Sequence, residues 1–223
     1  MKEEFIFNGY KATVIIPENP NGKWVWKTEF FYSFDQAECA LFEQGYTRVY
    51  YEISNMYGST RAVRLMRMFH KELLKRFSWL TEKSILFGFS RGGLYAFNYA
   101  LYYPEVVSKI YLDAPVLNLK TWPITNSFEQ KEFFDEYNIN SITFNTFKDS
   151  PVDHLEEFFT YQIPVLLIAG DCDELVPFEK NGGIMIDKAK EVNANVEFIL
   201  KTGCAHHPHS LEDLQPIINF LNM

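Results

Sequence analysis

The sequence predicts an α/β fold in which a mainly parallel sheet is covered by helices on both faces. Short apolar or β-branched runs alternate with stretches of helical periodicity, which is the order that parallel strands joined by helices produce. The chain has 223 residues, of which 47% are hydrophobic, so it can form one domain with a substantial core. We therefore expect a single domain over residues 1–223.

The strands are predicted from their β-branched and aromatic content and from the turns that bound them. They comprise residues 5–7, 12–16, 47–53, 84–88, 109–112, 164–169 and 195–200. Asn8 and Gly9 indicate a hairpin turn between the first two strands. Residues 23–27, in which Trp24 and Trp26 flank a valine, fit either a strand face or a loop that lines a pocket.

Capping residues and apolar stripes mark the helices that connect these strands. The predicted helices begin near residues 33, 59, 94, 128, 184 and 211. Ser33, followed three residues later by Gln36, has the form of a capping box. The helix after residue 59 has one apolar stripe, and His70, which lies among charged residues, is expected on its exposed face.

Residues 118–162 interrupt the alternation of strands and helices. This stretch contains Trp122, many Phe and Tyr residues, and a mixed acidic part with His154. Because it is too short to hold a core of its own, we expect a cap inserted over the sheet edge rather than a separate domain.

Composition and charge exclude several classes of function. The formal net charge of -8, without a basic cluster, argues against binding to nucleic acid or to an anionic membrane. No stretch reaches transmembrane length, and the first residues lack the pattern of a signal peptide. Cys39, Cys172 and Cys204 are too few for a disulfide framework and suit a reducing compartment. We expect a cytoplasmic protein that needs no cofactor.

One stretch combines a strand, a sharp turn and a helix around Ser90. The apolar residues 84–88 lead into the motif Gly-x-Ser-x-Gly, and apolar residues at helical spacing follow it. In this context the motif is the pattern of a nucleophile elbow, a strained turn that projects the serine hydroxyl from the sheet edge. Gly88 and Gly92 fit because side chains there would collide with the neighbouring strand or helix.

These features resemble the α/β-hydrolase superfamily over nearly the whole chain. Three motifs carry the resemblance, in the order nucleophile, acid and histidine: Gly88-Phe89-Ser90-Arg91-Gly92, Gly170-Asp171-Cys172-Asp173 with Val176-Pro177, and Gly203-Cys204-Ala205-His206. The chain is also similar to a group of bacterial hydrolases with a Trp-Val-Trp segment and a His-His-Pro-His-Ser-Leu ending. The resemblance implies a Ser-His-Asp triad.

The resemblance also assigns the acid and the base. The superfamily usually places the acid on the third residue after the strand-end glycine, which is Asp173 here. Asp171 is then a loop-capping residue, and Glu174 is a lesser candidate. A glycine-rich turn that leads directly into a histidine points to His206 as the base.

Two further histidines, His207 and His209, either shape the pocket or cap the last helix. A metal site formed by the three histidines, with Cys204 and Asp171 nearby, is the competing interpretation. The spacing is not a zinc signature, and the intervening proline breaks the helix that a pair of ligands four residues apart needs. We therefore expect no metal.

An oxyanion hole requires two backbone N–H donors. The superfamily takes one from the residue after the nucleophile, which is Arg91, and the other from the loop after the third strand. We place that loop at residues 17–27, where Trp24 and Trp26 are the candidates, although the common His-Gly pattern is missing.

The predicted triad favours a serine hydrolase that cleaves a carboxylic ester of a small molecule through an acyl-enzyme intermediate. The candidates for the substrate pocket are Tyr57, Trp122, His207 and His209. These and the other aromatic residues suggest a sugar or aryl group in the substrate. The alternatives are a peptidase or thioesterase with the same triad, and a binding protein that has kept the fold and lost turnover.

Overall fold

A computed structural model of the chain describes residues 1–123 and 127–223. Within these residues, eight strands form one sheet. The strands are β1 (Lys2–Phe7), β2 (Tyr10–Ile15), β3 (Trp24–Lys27), β4 (Thr47–Tyr51), β5 (Ser84–Phe89), β6 (Val107–Asp113), β7 (Val165–Gly170) and β8 (Val196–Lys201). Their order across the sheet is β1-β2-β4-β3-β5-β6-β7-β8. β2 pairs antiparallel with β1 and β4, and the other neighbours pair in parallel. The predicted α/β class with a mainly parallel sheet is therefore confirmed.

Helices cover both faces of the sheet. The described residues form α1 (Gln36–Glu43), α2 (Thr60–Arg76), α3 (Gly92–Tyr102), α4 (Ser127–Tyr137), α5 (Ser141–Phe144), α6 (Leu155–Thr160), α7 (Gly182–Val192) and α8 (Gln215–Asn222). One core cluster contains side chains of α1 and α8, and the other contains side chains of α2, α3, α6 and α7. Over residues 1–123 and 127–223, none of these helices has the length and apolar character that a bilayer crossing requires.

This topology gathers several loops at one edge of the sheet. β3, β5, β6, β7 and β8 run in parallel, so the loops that follow them leave from their carboxyl ends on the same side. Ligands of open α/β sheets bind at this edge. The motifs singled out in the sequence follow β5, β7 and β8, and they therefore meet there.

The segment with two tryptophans is a strand rather than a pocket loop. β3 lies between β4 and β5, and the side chains of Trp24 and Trp26 are 0% and 1% exposed. Both rings pack against the buried ring of His70 on α2, at centroid distances of 4.9 and 6.1 Å. The alternation of the strand places both tryptophans on one face of the sheet.

His70 is buried, so its predicted position on the exposed face of the helix is wrong. Its side chain is 0% exposed, and its Nδ1 and Nε2 lie 2.7 Å from the Tyr99 hydroxyl and 2.9 Å from the Glu82 carbonyl. Burial lowers the pKa of His70 from 6.5 to about 4. The ring is therefore a neutral core residue at neutral pH.

A buried ion pair fixes the loop that follows β3. The Nζ of Lys27 lies 2.6 Å from Oε1 of Glu38 on α1, and it donates to the Ser33 carbonyl at 2.6 Å. The same ammonium lies 4.2 Å from the ring centroid of Phe89.

The predicted capping box at Ser33 is wrong, since α1 has Asp35 as its N-cap without a side-chain capping bond.

Residues 118–162 lie between β6 and β7 and contain the short helices α4 to α6; residues 124–126 of this segment are outside the described residues. α4 is anchored to the start of α2, because Glu136 accepts from Ser59 at 2.5 Å and also pairs with Arg61. The hydroxyl of Tyr137 donates to the Tyr57 carbonyl at 2.9 Å. That this segment acts as a cap stays a prediction.

Candidate active site

Ser90 lies in a sharp turn between β5 and α3. Its φ is +50°, a left-handed backbone conformation that residues other than glycine rarely adopt. The Ser90 amide donates to the Asp113 carbonyl at 3.0 Å, and the Ser90 carbonyl accepts from the Val116 amide at 2.9 Å. These bonds to the end of β6 and to the segment after it hold the strained turn in place.

The two glycines of the motif are required by close packing. A Cβ on Gly88 would lie 2.9 Å from the Ala96 Cβ and 3.0 Å from the Gly93 Cα. A Cβ on Gly92 would lie 2.9 Å from Oγ1 of Thr28. Gly88 thus allows α3 to approach β5, and Gly92 allows the loop after β3 to approach the serine turn.

The structure brings Ser90, His206 and Asp173 into one chain of hydrogen bonds. Oγ of Ser90 lies 3.0 Å from Nε2 of His206, and Nδ1 of His206 lies 2.6 Å from Oδ2 of Asp173. An ionised carboxylate only accepts, so Nδ1 carries the proton and Nε2 accepts from the serine hydroxyl. The histidine and aspartate side chains are 8% and 1% exposed, which shields this chain from water.

The loop after β7 presents Asp173 rather than Asp171 to the base. The second oxygen of Asp173, Oδ1, accepts from the amides of Leu175 and Val176 at 3.0 and 2.8 Å. Asp171 accepts from the Gly203 amide at 2.6 Å and so ties this loop to the loop after β8. Asp173, and not Asp171, is therefore the aspartate that contacts His206, and its role as the acid stays a prediction.

The prediction that Trp24 or Trp26 supplies an oxyanion donor is wrong. Both lie inside β3, which pairs with strands on both sides, and both rings are buried in the core. The sequence predicts the loop after the third strand at residues 17–27, but the structure places that loop later in the chain. Residues 24–27 are that strand, and the loop after it comprises residues 28–35.

Phe30 and Arg91 present backbone amides near Ser90. Thr28 fixes the start of the loop, because its amide and its hydroxyl both bond to the Phe87 carbonyl at 3.0 Å. The chain then turns at Phe30, whose φ is +57°. Within the part of the chain that the structure describes, neither the Phe30 amide nor the Arg91 amide has a hydrogen-bond acceptor.

The buried Glu29 links Ser54 to Arg91, the residue after Ser90. Oε2 of Glu29 accepts from the Ser54 hydroxyl at 3.0 Å and lies 3.5 Å from the Arg91 guanidinium. Arg91 also donates to Oδ1 of Asn55 at 3.2 Å. Burial raises the pKa of Glu29, and the positive charge of Arg91 opposes that rise.

A cavity of about 350 Å³ opens above Ser90. Its lining residues are Phe30, Ser33, Phe34, Phe89, Ser90, Leu175, His206, His207 and His209. Two of the four predicted pocket residues, His207 and His209, are therefore in place. Tyr57 and Trp122 do not line this cavity; their rings lie 6.0 Å apart, and Tyr57 packs against Phe133 of α4. Their assignment to the pocket is corrected, because both side chains are buried and Tyr57 packs against α4.

A second histidine–carboxylate pair lies beside the first. Nδ1 of His209 lies 2.8 Å from Oδ1 of Asp113, and their side chains are 3% and 0% exposed. The other oxygen of Asp113 accepts from the Tyr111 hydroxyl at 2.7 Å and from the Ser210 amide at 2.8 Å. Sequence reasoning missed this pair, although Asp113 directly follows a predicted strand that ends at the same edge as Ser90.

His207 completes a group of three histidines at the cavity. Its side chain is exposed, and its ring stacks on Phe34 at a centroid distance of 5.5 Å. Partial burial lowers the pKa of His207, and the neighbouring rings of His206 and His209 lower it further. One ring nitrogen from each of the three histidines lies within 4.8 Å of the others, so among the described residues this group is placed to hold a metal ion.

Solved structures with the same fold include several enzymes. The chain superimposes on a puromycin-hydrolysing peptidase of Mycobacterium tuberculosis with a TM-score of 0.75 at 13% identity, covering 99% of this chain and 37% of that one. It superimposes on an acylaminoacyl peptidase of Pyrococcus horikoshii with a TM-score of 0.71 at 16% identity, covering 92% and 37%. An α/β-hydrolase enzyme from a sediment metagenome of the Mar Chica lagoon, Morocco, has a TM-score of 0.62 at 15% identity, covering 99% and 98%.

The chain thus spans little more than a third of the length of the two peptidases. No functionally curated protein sequence matches it. Residues 43–222 match the prolyl oligopeptidase family, Peptidase_S9. Since this match covers most of the chain and includes Ser90, Asp173 and His206, the chain belongs to the prolyl oligopeptidase family, within the α/β-hydrolase superfamily.

Proposed function

We propose that this chain is a serine hydrolase that transfers an acyl group from a carboxylic ester to water through Ser90. The observation that carries this proposal is the chain of hydrogen bonds from the serine hydroxyl through His206 to Asp173, at 3.0 and 2.6 Å. A serine hydroxyl is a weak nucleophile until an adjacent base takes its proton, and this arrangement supplies that base.

In the proposed reaction, Oγ of Ser90 attacks the substrate carbonyl while Nε2 of His206 takes its proton. Asp173 holds the imidazole orientation and stabilises the imidazolium that forms. The imidazolium then gives the proton to the departing alkoxide, which leaves an acyl-serine. Water, deprotonated by the same nitrogen, releases the acid and restores Ser90.

We assign the oxyanion hole to the backbone amides of Arg91 and Phe30. Both lack a hydrogen-bond acceptor within the part of the chain that the structure describes, and Phe30 lines the cavity at Ser90. Preorganised amides of this kind stabilise the negative charge of the tetrahedral intermediate. The pair formed by Glu29 and Arg91 connects the two backbone segments and supports their spacing.

The cavity favours a compact acyl group with apolar character. Phe30, Phe34 and Leu175 provide its apolar surface, and the histidines provide its polar side. Of the aromatic residues that suggested a sugar or aryl group, Tyr57, Trp24 and Trp26 are buried elsewhere. Phe30 and Phe34 at the cavity still favour an aryl ester as the substrate. The argument for a sugar ester is weaker, because most of the aromatic residues behind it lie outside the cavity.

Peptide hydrolysis is the second candidate, because of the family assignment. The chain belongs to the prolyl oligopeptidase family, and two structures with the same fold are described as peptidases. The triad fixes the nucleophile and not the leaving group, so esters and amides share the acylation chemistry.

An ester substrate and an amide substrate test the two candidates. Turnover of p-nitrophenyl acetate and of aminoacyl p-nitroanilides is compared for the wild type and for Ser90→Ala. We expect ester turnover that Ser90→Ala lowers at least about 10³-fold. Turnover of the anilide alone favours the peptidase, and ester turnover that survives in Ser90→Ala rejects the mechanism.

A fluorophosphonate probe separates an enzyme from a binding protein that has kept the fold. The probe labels a serine only when a neighbouring base activates it. We expect labelling of the wild type and none of Ser90→Ala. Absence of labelling in the wild type supports the binding protein.

We also propose a reducing, cytoplasmic location for the chain. Cys39, Cys172 and Cys204 are all free thiols in the structure. Free cysteines persist where cellular thiol systems keep them reduced. Thiol titration of protein isolated without reductant is expected to give three thiols per chain, and an intramolecular disulfide in that material argues against this location.

A further inference from the structure

We propose that His206, His207 and His209 form a binding site for a divalent transition-metal ion of the zinc or copper type, and that occupation of this site inhibits the serine. Binding of the metal stands on the geometry alone, whereas its inhibitory effect rests on the hydrolase function proposed above. The metal acts here as a reversible inhibitor that competes with the serine for His206.

The three ring nitrogens are close to the spacing that a metal requires. They lie within 4.8 Å of one another. Zinc binds imidazole nitrogen at about 2.1 Å, which puts two nitrogens of a tetrahedral site about 3.4 Å apart. The remaining movement is small, and the exposed side chain of His207 can supply the part that involves its own ring nitrogen by leaving its stacking contact with Phe34.

Two of the three ligands are already oriented by buried carboxylates. Nδ1 of His206 lies 2.6 Å from Asp173, and Nδ1 of His209 lies 2.8 Å from Asp113. Each carboxylate holds its imidazole with the proton on Nδ1, so Nε2 keeps its lone pair. Metal-binding histidines almost always carry such a partner, which fixes the tautomer and raises the basicity of the ligand nitrogen.

The local charge and the ligand type select the class of ion. Asp113 and Asp173 have 0% and 1% exposed side chains, so two poorly screened carboxylates lie behind the rings. They favour a divalent cation at the Nε2 atoms. Imidazole ligands suit zinc, copper and nickel, whereas magnesium and calcium prefer oxygen.

Occupation of this site removes the base. Nε2 of His206 has one lone pair, and in the free protein it accepts from the Ser90 hydroxyl across 3.0 Å. A metal ion bound to that lone pair leaves the serine proton without an acceptor. Removal of the metal restores the hydrogen bond, so the inhibition is reversible.

Binding is measured by calorimetric titration of Ser90→Ala with zinc chloride. This variant removes the competing hydroxyl and needs no activity for its readout. We expect one zinc ion per chain, with affinity lowered at least about tenfold in the double variants Ser90→Ala/His207→Gln and Ser90→Ala/His209→Gln. His207 is exposed, so its variant keeps the test informative even if replacement of the buried His209 impairs folding.

Two controls in the same background identify the ligands. Ser90→Ala/His154→Gln removes a histidine outside the cavity and is expected to bind zinc unchanged. Ser90→Ala/Cys204→Ser tests the thiol beside the histidines and is also expected to bind unchanged. Absence of zinc binding, or binding that depends on Cys204 and not on the histidines, overturns the site.

Inhibition is measured separately on the wild type with the ester substrate. We expect zinc and copper to inhibit, chelation by EDTA to restore turnover, and magnesium and calcium to have no effect. Each histidine variant is compared with its own activity without metal. Zinc binding without inhibition overturns the inhibitory part of the proposal, and turnover that is absent without metal counts against the hydrolase function rather than the metal site.

Discussion

Lys27 and Glu38 form an ion pair of 2.6 Å in which the side chains are 0% and 1% exposed. Burial lowers the pKa of Lys27 and raises that of Glu38, since both charges have lost water. Their attraction and the bond from Lys27 to the Ser33 carbonyl offset that loss. The pair therefore holds α1 and the loop of residues 28–35 together beneath the candidate active site.

Removal of one partner is expected to destabilise the protein strongly. Lys27→Met leaves the Glu38 carboxylate buried without a counter-charge, which costs about 3–5 kcal/mol of unfolding free energy. The measurement is urea denaturation followed by tryptophan fluorescence. Lys131→Met, which removes an exposed ion pair with Asp135, is the control and is expected to leave the midpoint almost unchanged. Equal effects of the two variants would contradict the structural role of the buried pair.

Asp173→Asn is expected to lower kcat by about 10³- to 10⁴-fold on the ester substrate, with little change in KM. The amide retains the shape of the carboxylate but does not stabilise the imidazolium. Asp171→Asn and Glu174→Gln are matched controls on the same loop, and we expect both to keep most of the activity. A larger loss in either control would move the acid of the triad to that residue.

Gly92→Ala is expected to lower kcat/KM by about 10²-fold or more, the effect of losing one oxyanion donor. The new Cβ would lie 2.9 Å from Oγ1 of Thr28 and 3.2 Å from the Glu29 Cβ, so the loop that carries Phe30 has to move. Gly9→Ala is the control: its φ is +85°, and it lies in the β1–β2 turn. Gly9→Ala is expected to reduce stability without changing the activity of the folded protein. Unchanged kinetics in Gly92→Ala would argue against the Phe30 amide as an oxyanion donor.

The stability of the protein is expected to fall as the pH drops from 6.5 towards 4. Burial lowers the pKa of His70 from 6.5 to about 4, so the unfolded chain binds a proton in this range that the folded chain does not. The effect amounts to about 3 kcal/mol once both states are protonated. Above pH 6.5 this contribution is constant.

Chemical denaturation at a series of pH values checks this expectation. His70→Gln lowers the stability at pH 7, because the contacts to Tyr99 and Glu82 change, but it is expected to flatten the slope between pH 4 and 6.5. An unaltered slope in His70→Gln would mean that other groups cause the acid sensitivity.

The sequence was sufficient to predict which side chains meet after the strand ends. Ser90, Asp173 and His206 each come after a predicted strand, and parallel topology alone brings such positions to one edge. The superfamily resemblance assigns the acid to Asp173 rather than to Asp171, and in the structure Asp173 bonds to His206 whereas Asp171 bonds to the Gly203 amide.

The errors have identifiable physical causes. The charged residues around His70 in the sequence favour an exposed position, yet His70 lies seven residues after Val63 and three before Leu73, on the apolar face of α2. Trp24 and Trp26 were ambiguous because a short strand that is buried on both faces lacks a polar alternation. That ambiguity displaced the expected oxyanion loop.

Other features depend on contacts that no local pattern contains. The bond between Asp113 and His209 joins residues 96 positions apart, from the end of β6 and the loop after β8, which meet only after β6, β7 and β8 have paired. Tyr57 and Trp122 belong to an aromatic cluster beneath α4. Neither residue lines the cavity at Ser90, and composition alone does not predict how their parts of the chain pack.

The position of β8 has a consequence for how activity is lost. β8 forms one border of the sheet and is mostly half-exposed, whereas β5, which carries the nucleophile, lies at the centre and is fully buried. Border elements open locally at lower free energy than the centre does. Fraying of β8 would carry the imidazole away from an intact serine turn, so inactivation by mild denaturant should precede the global loss of tertiary structure.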